Sequence, residues 1–303
     1  MYIIGTDEAG YGPNLGPLVI TATLWKMPSF DFSSVILSAK VAGVDIGDSK
    51  QLYHSGGSLL KLSKGVLSAL ASIDILPQTD TKLFNVVGKI SQLPFMFVDN
   101  EFSLQKLCSS NLKNSEAKPI SDSHKIFPNK ELQIVRSRII FPAEYNAMLD
   151  EFGSKGELLS NVTLGLVVEL IEELGNNLCE QVLVLCDKHG GRNCYVDLLS
   201  GYFCDELIGV KEQSRKISVY NLCGIEFRFI AKGESQIPIA LSSMFSKYIR
   251  ELLMQRFNSF WKSHLPNIKP TAGYPEDAKR FIAEIADILS DLKIDKNEIW
   301  RLK

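Results

Sequence analysis

The stretch YIIGTDEAGYGPNLGPLVITATLW, residues 2–25, leaves the chain few ways to fold. A short apolar run reaches two acids, passes through a loop rich in glycine and proline, and resumes as a β-branched run. So short a loop predicts two neighbouring antiparallel strands. Adjacent residues on a regular strand point to opposite faces. Asp7 and Glu8 are therefore expected to share one site only where the chain leaves extended geometry, a freedom that Gly5, Gly10 and Gly12 supply. A structural turn needs the glycines but not the acids.

A second acid-tipped strand follows later. QVLVLCD (181–187) is a continuous apolar run ending on Asp187, the pattern of a central strand covered on both faces. Ligands of open α/β sheets sit beyond the carboxyl ends of strands. If the two acid-tipped strands are parallel neighbours, Asp7 and Asp187 stand side by side, and such carboxylates suit Mg²⁺ or Mn²⁺ better than zinc. Helical spacing marks 57–73, 156–174, 237–261 and 275–291, and strand patterns mark 132–141 and 225–232. On the helix at 237–261, Ser243, Lys247 and Glu251 recur at i, i+4 and i+8. By pattern alone that stripe reads as a solvated face with a Lys–Glu pair. The order predicts an α/β chain with a mixed sheet flanked by helices. It forms a single domain over 1–303, with an insertion or small subdomain at 75–130, a loop at 109–128, and a helical C-terminal part at about 262–303.

The formal net charge of −2 gives no global footprint of a nucleic-acid binder, so any such contact must rest on a local basic cluster. Lys211, Arg215, Lys216, Arg228 and Lys232 are the best candidates. None of the six cysteines forms a CxxC pair, and the four histidines lack ligand spacing with them, which disfavours a disulfide framework or structural zinc. No basic-then-apolar leader opens the chain and no apolar run reaches membrane-spanning length. A cytoplasmic protein without membrane contact is the expectation.

GTDEAGYGPNLGPLVITAT (5–23) resembles the opening motif of ribonuclease HII, a strand ending in Asp-Glu-Ala-Gly before a Gly-x-Gly-Pro loop. DSKQL (48–52) is similar to the family's Asp-Ser-Lys segment, PAEYNAML and the 156–174 helix to its Asn-containing helical stretch, and VLVLCD to the strand that carries its third acid. IPIALSSMFSKYIRELLM (237–254) resembles the helix whose Lys-x-x-Arg-Asp segment holds the fourth acid, and KPTAGYPED (269–277) the Gly-Tyr turn near the C-terminus. The resemblance implies an RNase H-like fold and a divergent member of the family. It assigns Asp7, Glu8, Asp187 and Glu251 to a catalytic, metal-binding acidic cluster holding Mg²⁺ or Mn²⁺. It further implies hydrolysis of the RNA strand of RNA–DNA hybrids, or of ribonucleotides embedded in DNA, leaving 5′-phosphate and 3′-OH. Gly10, Tyr11, Gly12, Lys50, Lys247 and Tyr274 fall at substrate-binding positions.

The chain departs from that pattern in places. Tyr11 stands where the family has Arg, Glu251 where it has Asp, and DKHGGR (187–192) replaces a short Asp-Gly-Asn turn. Lys188, His189 and Arg192 of that loop are candidates for phosphate contact, with His189 as a proton carrier. A competing reading is a non-catalytic or re-specialised nucleic-acid-binding module on the same scaffold. A phosphotransferase of the actin and sugar-kinase kind ranks last, because residues 8–12 offer no hydroxyl for an ATP phosphate except the phenol of Tyr11, and no P-loop occurs.

Overall fold

The computed structural model describes all residues except 55–56, 91, 99, 105–124, 176–179, 205 and 303. Its centre, among the described residues, is a mixed sheet of seven strands: β1 (Tyr2–Ala9), β2 (Leu18–Lys26), β3 (Leu132–Ile140), β4 (Val182–Asp187), β5 (Gly209–Gln213), β6 (Ile217–Leu222) and β7 (Ile225–Ile230). They lie in the order β3-β2-β1-β4-β7-β6-β5. β1 pairs antiparallel with β2, as the short loop requires, and parallel with β4. β4 is parallel to β7, and the hairpin β5–β6 completes that edge antiparallel. The basic stretch 209–234 thus supplies three strands of the sheet, β5, β6 and β7.

Alternation along β1 feeds two cores. Ile3 packs with Val19 and Leu185 on one face, beneath α8 (Ile237–His264), while Ile4 packs with Ile20 and Val184 on the other, beneath α5 (Pro142–Phe152) and α6 (Lys155–Leu174). The first face also takes α1 (Ser33–Val41), α2 (Ser49–Leu52), α3 (Leu60–Ser72) and α4 (Asp80–Gly88). The second takes α7 (Val196–Tyr202). The C-terminal region is helical, with the patterned segment 275–291 split at Ile285 into α9 (Pro275–Glu284) and α10 (Ala286–Asp291).

Within 75–104 the chain is joined to the main core. Phe84, Val87, Met96, Phe97 and Leu104 are buried in the same cluster as α8. Asp80 and Arg256 form a fully buried ion pair, and the Arg256 Nη1 also donates to the carbonyls of Phe97 and Val98 at 2.8 and 3.2 Å. The expected loop at 109–128 lies, through residue 124, outside the described residues. Ile126 and Phe127 beyond it are buried, Phe127 edge-on against Trp25.

Candidate active site

The parallel register of β1 and β4 sets Thr6 opposite Cys186, so the next residues, Asp7 and Asp187, stand at one level, Asp187 as the last residue of β4 and Asp7 two short of the end of β1. Asp7 is buried and its carboxyl is pushed well above the usual range, first by burial and then by the charge of Glu8. The pKa of Glu8 rises to about 7 through burial and the neighbouring Asp187. Asp187 is raised too, again chiefly by burial. Three carboxylates therefore repel one another at the carboxyl edge of the sheet. The sharing of one site by Asp7 and Glu8 needs no break at the acids themselves: β1 stays paired with β2 through Ala9, and the chain turns only at Gly10, φ +95°. The Glu8 amide donates to Asp7 Oδ1 at 2.8 Å, and the Gly233 amide to Asp187 Oδ1 at 2.9 Å.

Helix α8 crosses β1 closely because Gly5 has no side chain; a Cβ there would lie 2.3 Å from the Pro238 backbone. Its serines satisfy strand groups directly. Ser242 donates to the Gly5 carbonyl at 2.8 Å, Ser246 to the Asp7 carbonyl at 3.0 Å, and Ser243 hydrogen-bonds the Asp7 carboxyl. Ser243 also meets Ser49 at 2.9 Å, which ties the DSK segment to the same point. The stripe Ser243, Lys247, Glu251 is therefore turned inward and not solvated. Glu251 lies two turns beyond Ser243, roughly 12 Å along the axis. Its carboxylate accepts from the Tyr53 hydroxyl at 2.9 Å and pairs with Lys247 at 2.8 Å. Lys247 in turn lies over the Tyr53 ring.

The glycine loop is walled on two sides. The hydroxyl of Tyr11 lies 2.9 Å from where a Cβ on Gly190 would stand, so the 187–192 loop abuts it. Exposed Tyr274 faces Gly12 at the limit of contact, and the Gly273 carbonyl accepts the amides of Asn14 and Leu15 at 2.7 and 3.2 Å. Below the loop sit two buried arginines. Arg301 Nη2 donates to the carbonyls of Gly10, at 2.6 Å, and Pro13. Arg250 Nη2 donates to Leu15 and Ala272 at 3.3 and 3.0 Å.

The other expected contacts are spread around this centre. Lys50 is exposed, reaches Glu234 at 3.4 Å, and its charge holds down the pKa of Glu8. Lys188 bends away, with Nζ bonded to Asn193, Ser214 and Ser218. Arg192 pairs with Glu157. His189 is buried against Tyr195 and Phe229 with Nδ1 3.0 Å from Ser160 Oγ, and burial and then Arg192 lower its pKa to about 3. It is a neutral core ring. Lys211 and Arg228 of the basic stretch both pair with Glu226.

Sequence reasoning passed over Ser243 as an Asp7 ligand, Glu234 beside Asp187, Tyr53, and the two buried arginines. Only the Ser-rich helix and the Gly-Glu-Ser following β7 carried any sign of them. Carboxylate oxygens are the preferred donors of a hard divalent cation, and Asp7, Glu8 and Asp187 offer them at one edge of the sheet, with Lys50 offsetting part of their mutual repulsion. Among the described residues no three His, Cys, Asp or Glu side chains already converge tightly enough to hold a metal ion. No helix among them is long and apolar enough to cross a membrane.

No family model and no curated protein matches the chain. Among solved structures it is similar to ribonuclease HII of Archaeoglobus fulgidus, solved in complex with PCNA, at 13% identity and a TM-score of 0.43, covering 100% of this chain and 96% of that one. It is similar to the ribonuclease H2 of Pyrococcus horikoshii at 14% identity and a TM-score of 0.46, covering 99% and 92%. A third is Bst-RNase HIII in complex with Mn²⁺, at 16% identity and a TM-score of 0.44, covering 100% of this chain and 66% of that one. The similarity to these ribonucleases runs the length of this chain.

Proposed function

We propose that the chain is a metal-dependent endonuclease that hydrolyses the RNA strand of RNA–DNA hybrids or ribonucleotides embedded in DNA, leaving 5′-phosphate and 3′-OH. The observation that carries this reading is the juxtaposition of Asp7, Glu8 and Asp187 at the ends of parallel β1 and β4, beside the Gly10–Gly12 loop. Asp7, Glu8 and Asp187 would hold Mg²⁺ or Mn²⁺, with Glu251 joining them on release from Lys247 and Tyr53. Such ions, when bound, activate water and offset charge on the phosphodiester. Ser243 and Ser246 fix Asp7 through its carboxyl and its carbonyl, so this acid is anchored to α8. The glycine loop admits a sugar–phosphate backbone and inspects its 2′-OH, the group that separates RNA from DNA. Lys50 and Tyr274 flank that approach.

The test uses a labelled DNA duplex with one ribonucleotide and a second duplex with a hybrid stretch, incubated with Mg²⁺ or Mn²⁺. Wild type should cut at least one of them to ends that a polymerase extends, and Asp7→Asn should lower the rate by about 10²-fold or more. A non-catalytic nucleic-acid-binding module is the second reading, favoured by the engagement of Glu251 with Lys247 and Tyr53. Duplex binding without cleavage in either metal would establish it instead.

A further inference from the structure

Arg301 and Arg250 are only 1% and 2% exposed. Among the described residues Arg301 touches no carboxylate, and its Nε and Nη1 have no hydrogen-bond partner. Arg250 has an orphan Nε and stands 3.9 Å from Glu251, whose charge Lys247 already takes at 2.8 Å. The two guanidiniums are close enough to repel one another. A buried cation with no carboxylate beside it, as Arg301 is among the described residues, is costly to a fold. Both lie against Gly10: the Arg250 Nε sits 2.7 Å from where a Gly10 Cβ would be, and Arg301 holds the Gly10 carbonyl.

That grip has a geometric consequence. No peptide bond among the described residues is cis, so across the Gly10–Tyr11 peptide the carbonyl and the N–H point opposite ways. With the carbonyl drawn down onto Arg301, the Tyr11 N–H faces up, away from the protein interior. The middle of the loop is a tyrosine and carries no positive charge of its own.

We propose that Arg301, with Arg250 behind it, is the cationic footing of the glycine loop: a positioning residue that turns the Tyr11 amide outward and draws a phosphodiester of a nucleic-acid strand onto it. The inference rests on the nucleic-acid reading above and names the group that replaces the loop's missing cation. Tyr145 supports the footing from below, its ring 4.8 Å from the guanidinium carbon of Arg301. Residue 301 reaches the loop because the C-terminal segment is laced to it. The Arg301 amide donates to the Asn14 carbonyl at 2.8 Å, and the Asn14 side chain returns a bond to the Arg301 carbonyl at 3.0 Å.

The experiment is binding of a labelled DNA duplex carrying one ribonucleotide, in EDTA so that nothing is cut, across a series of KCl concentrations. Arg301→Met should weaken binding about tenfold and reduce the slope of log K against log salt by about one phosphate contact. Arg301→Lys, which keeps the charge, should keep the slope. A folded Arg301→Met with the wild-type slope and affinity overturns the proposal. Should that variant not fold, the ¹⁵N resonance of Arg301 Nε in the wild type decides: it should move when the duplex is added, and an unmoved resonance in a bound complex overturns the proposal equally. If wild type ignores the duplex but inorganic phosphate shifts that resonance, the footing stands and the nucleic-acid reading falls. If neither ligand has an effect, both fall.

Discussion

Burying Asp7 beside Glu8 and Asp187 destabilises the metal-free protein, because ionised carboxylates lose hydration and gain each other's repulsion. Asp7→Asn should therefore raise the melting temperature in EDTA at pH 8 by a few degrees while abolishing cleavage. The pH dependence has a definite sign. The folded-state pKa values of Asp7 and Glu8 lie above their unfolded values, so the native state holds protons that the unfolded chain releases. Their effect is that stability rises as pH falls through about 7. His189 works the other way. Its folded pKa of about 3 lies below the ordinary 6.5, so the unfolded chain alone takes up a proton as the solution is acidified. Its contribution should fall by about 2 kcal/mol between pH 7 and pH 5. The difference in denaturation midpoints between wild type and His189→Asn should shrink over that range; a difference independent of pH would show that the ring is not held neutral. These residue-scale properties were only partly legible. DEAG beside glycines announced the acids, but nothing in DKHGG distinguished a buried ring from an exposed one, since that depends on Phe229 and Tyr195 packing around it.

At the scale of elements, α8 organises the site. Its periodicity placed it as a long helix, and its apolar stripe sits where expected, but the polar stripe Ser243, Lys247, Glu251 read as solvent-facing and is not. The reason is that strand carbonyls and a buried carboxyl, rather than water, satisfy those side chains. No periodic pattern encodes such partners. The same helix carries Arg256, which binds Asp80 through Nε and Nη2 and the 95–98 turn through Nη1. Removing one member of a buried pair leaves the other uncompensated. Asp80→Ala should cost about 3–5 kcal/mol in urea unfolding, far more than Lys61→Ala at the exposed pair with Asp45. Equal costs would contradict the burial argument. The hairpin β5–β6 illustrates the opposite limit of legibility. All five residues of β5 are exposed, so no alternation marks the strand, and pairing with β6 alone makes it.

Across the whole molecule the middle of the sheet was readable because it follows from few constraints: a short loop sets β1 against β2, and the apolar run of β4 marks a central strand. What could not be read was which distant segments close on the glycine loop. Trp300 bridges to Leu15, Arg301 bonds across 291 residues to Gly10, and Asn146 holds the carbonyl of Trp300 at 2.9 Å. The bridge is backbone pairing, and the other two contacts use side chains with no local pattern. Replacing Asn146 with Ala should loosen both α5 and this segment, raising amide hydrogen exchange at residues 10–15 without unfolding β3. Exchange unchanged in the loop would mean the segment does not brace it.

The lacing of residues 299–302 over residues 10–15 also bears on synthesis. A ribosome makes the glycine loop among the first residues of this sequence and Arg301 nearly three hundred later. The strand pair β1–β2 has its partner at once, but the loop between them waits for almost the entire sequence to emerge before its carbonyls are gripped. A nascent chain would thus carry its acids long before it carried a shaped loop to bring nucleic acid to them.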